Sequence, residues 1–269
     1  MVNVAVAGGT GGVGRAIVEV LLTSGHEAFI FSRRQPAQVA NTIAVDYNDI
    51  EQLNSALQNN QIHTVISAFA VKGDSLSVSQ MNLIKAAAKS NTTKRFIPSG
   101  VDFLFLILQG CSQCSSTTRR LLPGNGRASK YGLEWTVFHT GIFLDYFGGS
   151  SLKSYLQPNV FVVDIQNKVA GIPGDGDALV TFTYTFDLVR FVVASLDLEK
   201  WDEESRVVGD EMSWNDFVGL AEETRGSKFE VHYDSVDKLK RFEITELPGH
   251  MPLYDNFPRK NFPVVHVNF

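Results

Sequence analysis

Cysteine is scarce: Cys111 and Cys114 are the only two in 269 residues. That count excludes a disulfide framework and makes a reducing, cytoplasmic setting the expectation. Their C-x-x-C spacing would suit a redox pair or half a metal site. No second cysteine pair and no histidine cluster accompanies it, so no metal is expected. Long apolar runs are missing too. Phe103 to Leu108 is far too short to span a bilayer, and glycines cut the apolar start before it can read as a signal peptide. There is no long basic run, and the formal net charge is −5, which argues against nucleic acid as the main partner. Internal repeats and low-complexity segments are absent.

What is present begins at the N-terminus. An apolar, β-branched run, Val2 to Ala7, breaks into Gly8-Gly9-Thr10-Gly11-Gly12-Val13-Gly14, and Ile17, Val20 and Leu21 follow at helical spacing. Strand, tight turn and helix in that order are the context in which a G-x-G-x-x-G spacing signals a dinucleotide site. Glycines let the backbone turn sharply and let a pyrophosphate approach the amides, while the first helical N–H groups and the dipole face the anion. The alternative is a purely structural glycine turn. The first helix is expected to close at Gly25.

A second strand, Ala28 to Phe31, ends at Ser32-Arg33-Arg34, with no carboxylate where an NAD site usually places one for the ribose 2′-hydroxyl. A carboxylate would repel a 2′-phosphate and a guanidinium can grip it, so these residues favour NADP(H) over NAD; a solvated basic turn is the alternative. Thr42 to Val45 predicts a third strand, ending at Asp46-Tyr47. Asp46 suits either the adenine amino group or the start of the next helix. A fourth strand, Thr64 to Ile66, opens into Ser67-Ala68-Phe69, small enough at its carboxyl edge to admit a ribose. A helix around Met81 to Ala88 leads to a fifth strand, Arg95 to Ser99. With 44% hydrophobic residues, this alternation predicts an α/β fold: a Rossmann-like, doubly wound parallel sheet.

Periodicity fails between Gly100 and Lys130, which reads as a long irregular connection, functional or poorly ordered; an artefact of the gene model over Gly110–Gly126 is a further alternative. Leu133 to His139 predicts a sixth strand, with His139 a satisfied core or edge histidine, followed by Gly141 and Phe143. Beyond it, strands at 180–184, 206–208 and 228–233, a helix starting at Asp187 and a capping box at Ser213-Trp214-Asn215-Asp216, whose helix ends at Gly226, suggest a smaller α+β lobe. The division expected is a nucleotide domain over 1–143, with its irregular insertion at about 100–130, and a substrate lobe over 144–269.

The glycine loop, the arginine ending the second strand, Lys94-Arg95-Phe96-Ile97-Pro98-Ser99, Gly132-Leu133-Glu134-Trp135-Thr136 and Val207-Val208-Gly209-Asp210…Trp214-Asn215-Asp216 resemble the NmrA-like and isoflavone reductase-like proteins, atypical short-chain dehydrogenases, in their fungal form. The resemblance covers nearly the whole chain. It implies NADP(H) on a Rossmann domain and either a reductase of a small apolar, aromatic or polyketide-like metabolite, within secondary metabolism, or a catalytically silent NADP sensor that regulates transcription through a protein partner. The tyrosine-x-x-x-lysine pair of typical short-chain dehydrogenases is absent. Reductases of the family place a lysine on a helix between the fifth and sixth strands; here Arg119 and Arg120 stand near that place, and arginine cannot shuttle a proton near neutral pH. Lys130 is the remaining candidate proton donor, and Ser99 a candidate partner for the reacting oxygen or simply a strand-end hydroxyl. The chain ends at Phe269, earlier than most of the family, which leaves part of the closing lobe in doubt.

Overall fold

The computed structural model describes residues 1–34, 41–70, 75–99, 132–149, 151–241 and 243–254. Strands β1 (Asn3–Ala7), β2 (Glu27–Ser32), β3 (Thr42–Ala44), β4 (Thr64–Ser67), β5 (Arg95–Ile97) and β6 (Glu134–Trp135) form one parallel sheet in the order β3-β2-β1-β4-β5-β6. Strand order reverses between β1 and β4, so a crevice opens beyond their carboxyl ends, where ligands of such sheets lie. Helices α1 (Gly12–Leu21), α2 (Ile50–Asn59) and α3 (Gln80–Lys89) are the crossovers.

Both sheet faces are dry, because β1 runs Val4-Ala5-Val6-Ala7 with every side chain buried. Val4 and Val6 pack with α1, and Ala5 and Ala7 pack with α2 and α3. Helix α4 (Thr185–Ala194) joins the first of these faces through Leu188, Val189 and Val192, together with Trp201 and Val207. Residues well beyond 143 therefore complete the nucleotide sheet's core.

The sixth strand differs from expectation. It breaks at buried Thr136, whose hydroxyl bonds Ser205 Oγ at 2.9 Å; β7 (Val137–His139) then leaves the sheet to pair in parallel with β12 (Glu204–Arg206). His139 sits at that edge with Nε2 3.6 Å from Glu204 Oε2, an edge histidine as expected. Buried Arg95 clips the region together. It meets Glu134 at 2.6 Å, donates to the carbonyls of Leu196, Leu198 and Glu199, and lies 4.7 Å from the Trp201 ring centre.

The remaining strands form two three-stranded sheets. One joins β8 (Ile142–Phe143), β11 (Leu179–Thr183) and β13 (Asp210–Ser213); the other joins β9 (Val163–Asp164), β10 (Val169–Pro173) and β14 (Glu230–Asp234). Helix α5 (Trp214–Arg225) closes their core. Its capping box forms as the sequence predicts: Ser213 Oγ accepts Asp216 N–H at 3.0 Å, the Asp216 carboxylate accepts Ser213 N–H at 3.4 Å, and Gly226 ends the helix at φ +62.

Two helix boundaries are corrected. Helix α1 closes at Leu21 rather than Gly25, because the hydroxyls of Thr23 and Ser24 take the carbonyls of Val20 and Leu21. Helix α4 begins at Thr185, not Asp187, because a distant carboxylate, that of buried Asp145, accepts the Thr185 N–H at 2.8 Å.

Candidate functional site

The glycine turn joins β1 to α1 at the switch point. Gly8 holds φ +79, a left-handed conformation that suits glycine, and a Cβ there would lie 2.7 Å from the Ala68 carbonyl oxygen. A Cβ on Gly14 would lie 2.3 Å from the Gly8 carbonyl oxygen, so Gly14 lets helix and turn pack. Gly9 is buried between Val18 and Ile30. Gly11 is different. It is exposed, it caps α1 in extended conformation, and a Cβ on it would meet only the Gly8 oxygen, at 3.6 Å. Thr10 is exposed, and Gly12 and Val13 are half-buried. The first-turn amides of α1 have no intrahelical acceptor, no side chain caps them, and no carboxylate occupies the first turn. The turn thus presents bare N–H groups to an anion.

Several of the other expected cofactor residues flank this turn. Register places Ala7 beside Phe31 on one side and Ser67 on the other, so Ser32-Arg33 and Ser67-Ala68-Phe69 flank the glycines. Arg33 and Arg34 are exposed, and among the described residues neither pairs with a carboxylate. Ser32 Oγ accepts the Arg34 N–H at 3.3 Å. Ser67 is buried and, among the described residues, its hydroxyl has no hydrogen-bond partner, a polar atom that a ligand's hydroxyl or phosphate could satisfy. An open Gly11, bare amides and an orphaned Ser67 fit a dinucleotide.

Tyr47 is buried; its hydroxyl donates to the Phe31 carbonyl at 2.9 Å, and its ring meets Phe69 edge-on at 4.8 Å. Burial pushes its phenol well above the usual range, so it stays neutral. It shapes the pocket wall rather than offering a free donor. Asp46 is exposed and accepts Asn48 N–H at 2.9 Å. It does not start the next helix, since Asp49 caps α2 by accepting from Glu51 and Gln52. Ser99 lies beyond β5, where its hydroxyl donates to the Phe69 carbonyl at 2.8 Å and its N–H to Gln80 Oε1 at 2.8 Å. Among the described residues nothing donates to its oxygen. Gly141 holds φ +63, and a Cβ there would strike the Thr181 oxygen at 2.1 Å. Phe143, on β8, packs on the same core as Val13 and Ala68. Lys130, Cys111, Cys114, Arg119 and Arg120 lie outside the described residues.

Sequence reasoning missed the neighbours of the turn on its outer side. Leu156 reaches Gly12, Tyr155 lies under Arg15 at 4.0 Å from guanidinium carbon to ring centre, and Lys153 and Tyr155 both bond Glu19. No local signal marks them, because the partners stand 134 and 136 residues apart. Among the described residues there is no group of three or more His, Cys, Asp or Glu that could hold a metal, and no helix long and apolar enough to cross a membrane.

A family model described as NAD(P)H-binding matches residues 8–103. The chain is 37% identical over 235 residues to "Oxidoreductase BOA1" of Botryotinia fuckeliana, covering 85% of this chain and 78% of that one. It is 34% identical over 283 residues to "Oxidoreductase swnN" of Metarhizium robertsii, covering 95% and 83%. Among solved structures, a binary complex of leucoanthocyanidin reductase and NADPH from Vitis vinifera has the same fold, with TM-score 0.70 at 19% identity over 99% of this chain and 89% of that one. The chain also matches "Isoflavone reductase homolog A622" of Nicotiana glauca, 25% identical over 286 residues and covering 99% and 86%, and with these relatives it belongs to the isoflavone reductase-like family of NAD(P)H-binding oxidoreductases.

Proposed function

We propose that this protein is an NADPH-dependent reductase of a small apolar, aromatic or polyketide-like metabolite. The observation that carries the reading is the pairing of an anion-ready glycine turn with two exposed arginines, unpaired among the described residues, and no carboxylate, at the end of β2. Bound NADPH would supply the hydride. The amides of Gly12, Val13 and Gly14 would hold the pyrophosphate, Arg33 or Arg34 the 2′-phosphate, and Ser67 a ribose hydroxyl. The proton for the reduced atom would come from Lys130, with Ser99 Oγ orienting the reacting oxygen. The lobe over 144–269 would enclose the substrate.

A second reading, a non-catalytic NADP-binding regulator, is favoured by the lysines that flank β5. Lys89 ends α3 and Lys94 precedes β5, both exposed at the amino end of the sheet, opposite the crevice beyond the strands' carboxyl ends, so neither serves catalysis there. The test is direct. Purified protein is titrated with NADPH and NADH, then assayed for NADPH oxidation against small aromatic and polyketide-like carbonyl and enone compounds. A reductase turns over at least one compound, and Lys130→Met cuts that turnover by about 10²–10⁴-fold while sparing NADPH affinity. Tight NADPH binding with no turnover across the panel, and no effect of Lys130→Met, would favour the regulator.

A further inference from the structure

Outside the glycine turn, residues 153–156 cross the beginning of α1. Glu19 receives Lys153 Nζ on one carboxylate oxygen and the Tyr155 hydroxyl on the other. The Arg15 guanidinium, one helical turn earlier, covers the Tyr155 ring. Leu156 then lies so close to Gly12 that a Cβ there would be 2.6 Å from its Cδ2. The segment's other side is fastened to the second half of the chain: Tyr184 donates to the Lys153 carbonyl at 2.6 Å, and Ser154 Oγ donates to Asp145 at 2.5 Å.

We infer that Glu19 is a positioning residue for the dinucleotide, latching residues 153–156 as a strap that walls one side of the phosphate-binding turn. The inference rests on the dinucleotide reading of that turn. The two fastenings differ in kind. Asp145 is 3% exposed and also caps α4, so its bond to Ser154 is shielded from water. The Glu19 carboxylate is 36% exposed and Lys153 59%, so the outer fastening competes with water and salt. Both bonds hold the Glu19 carboxyl below its usual range, as a latch made by the ionised form requires. A strap fixed inside and loose outside opens away from α1, and the bare Gly12 lets Leu156 lie directly against the turn.

The test measures NADPH release by stopped-flow fluorescence, chasing the complex with excess NADP+. Glu19→Ala should speed release about three- to tenfold, the scale of an exposed ion pair plus a hydrogen bond. Glu19→Gln, which keeps an acceptor for Tyr155, should fall between it and the unchanged protein. Added salt should speed release from both, since it also screens the arginine–phosphate contacts, but by the larger factor from the unchanged protein, and melting temperatures should agree. Trypsin supplies a readout without cofactor: cleavage after Lys153 should be faster in Glu19→Ala. Unaltered release from a folded Glu19→Ala that binds NADPH overturns the strap alone. Failure of the unchanged protein to bind NADPH overturns the dinucleotide reading, and the strap's role with it.

Discussion

Gly11 and Gly14 stand three residues apart, yet their replacement should have opposite consequences. At Gly11 the backbone is extended, φ −101 and ψ 171, which any L-residue adopts. A Cβ there makes only an ordinary contact, 3.6 Å from the Gly8 oxygen, so Gly11→Val should fold with a melting temperature within a few degrees of the parent. Its isopropyl group would instead stand over the amides that face an anion. NADPH affinity should fall at least about 100-fold, or about 2.8 kcal/mol at 1.4 kcal/mol per decade. Gly14→Ala forces a Cβ to 2.3 Å from backbone oxygen, which cannot rotate away. Overpacking of that kind costs about 1–3 kcal/mol or more and lowers Tm by about 2–4 °C for each kcal/mol. Fluorescence titration with NADPH and thermal unfolding of both variants measure the two effects. Normal NADPH binding by Gly11→Val would refute the assignment of the turn, and an undisturbed melt for Gly14→Ala would refute its packing.

Arg33→Ala should erase most of the preference for NADPH over NADH, a shift of about 1.5–3 kcal/mol in relative binding free energy; equal affinities for both cofactors in the unchanged protein would contradict it. Arg95→Met strands the Glu134 carboxylate and three backbone carbonyls, so it should destabilise by about 3–5 kcal/mol, read from urea unfolding. His250 is buried; its Nδ1 accepts the Leu247 N–H at 3.2 Å and its Nε2 lies 2.9 Å from the Phe161 carbonyl, a pairing that suits the neutral ring. Burial lowers its pKa, as it does for His63 and His139. Below about pH 6.5 the unfolded chain then binds protons that the folded one refuses. Stability should therefore fall as pH drops through that value, and His250→Gln should flatten the slope of Tm between pH 8 and 5.

The nucleotide sheet was legible because its signals are local. Each strand from β1 to β5 is a short apolar run between turn residues, and the capping box and Gly226 mark α5 within its own sequence. Legibility failed where a partner is remote. Nothing near Thr185 announces that Asp145, forty residues earlier, will cap α4. The break at Thr136 depends on Ser205, and Arg95 finds its carbonyl acceptors a hundred residues on. The site divides the same way. Glycine turn, Ser67 and the arginines follow from spacing, whereas the Glu19 fastening requires the second half of the chain to be folded in place.

Helix α4 gives the chain an indivisible architecture. It is encoded after the last strand of the nucleotide sheet, yet Leu188, Val189 and Val192 lie against Val4, Val6 and α1. A fragment stopping at residue 143 would leave that face wet and the Arg95 guanidinium without its carbonyls, so it should be recovered as aggregate rather than as a free-standing cofactor domain. Exchange of the halves beyond residue 143 between relatives faces the same obstacle: a graft must bring α4 and the turn after it matched to the host's first helix, or the grafted half arrives on a sheet that cannot close.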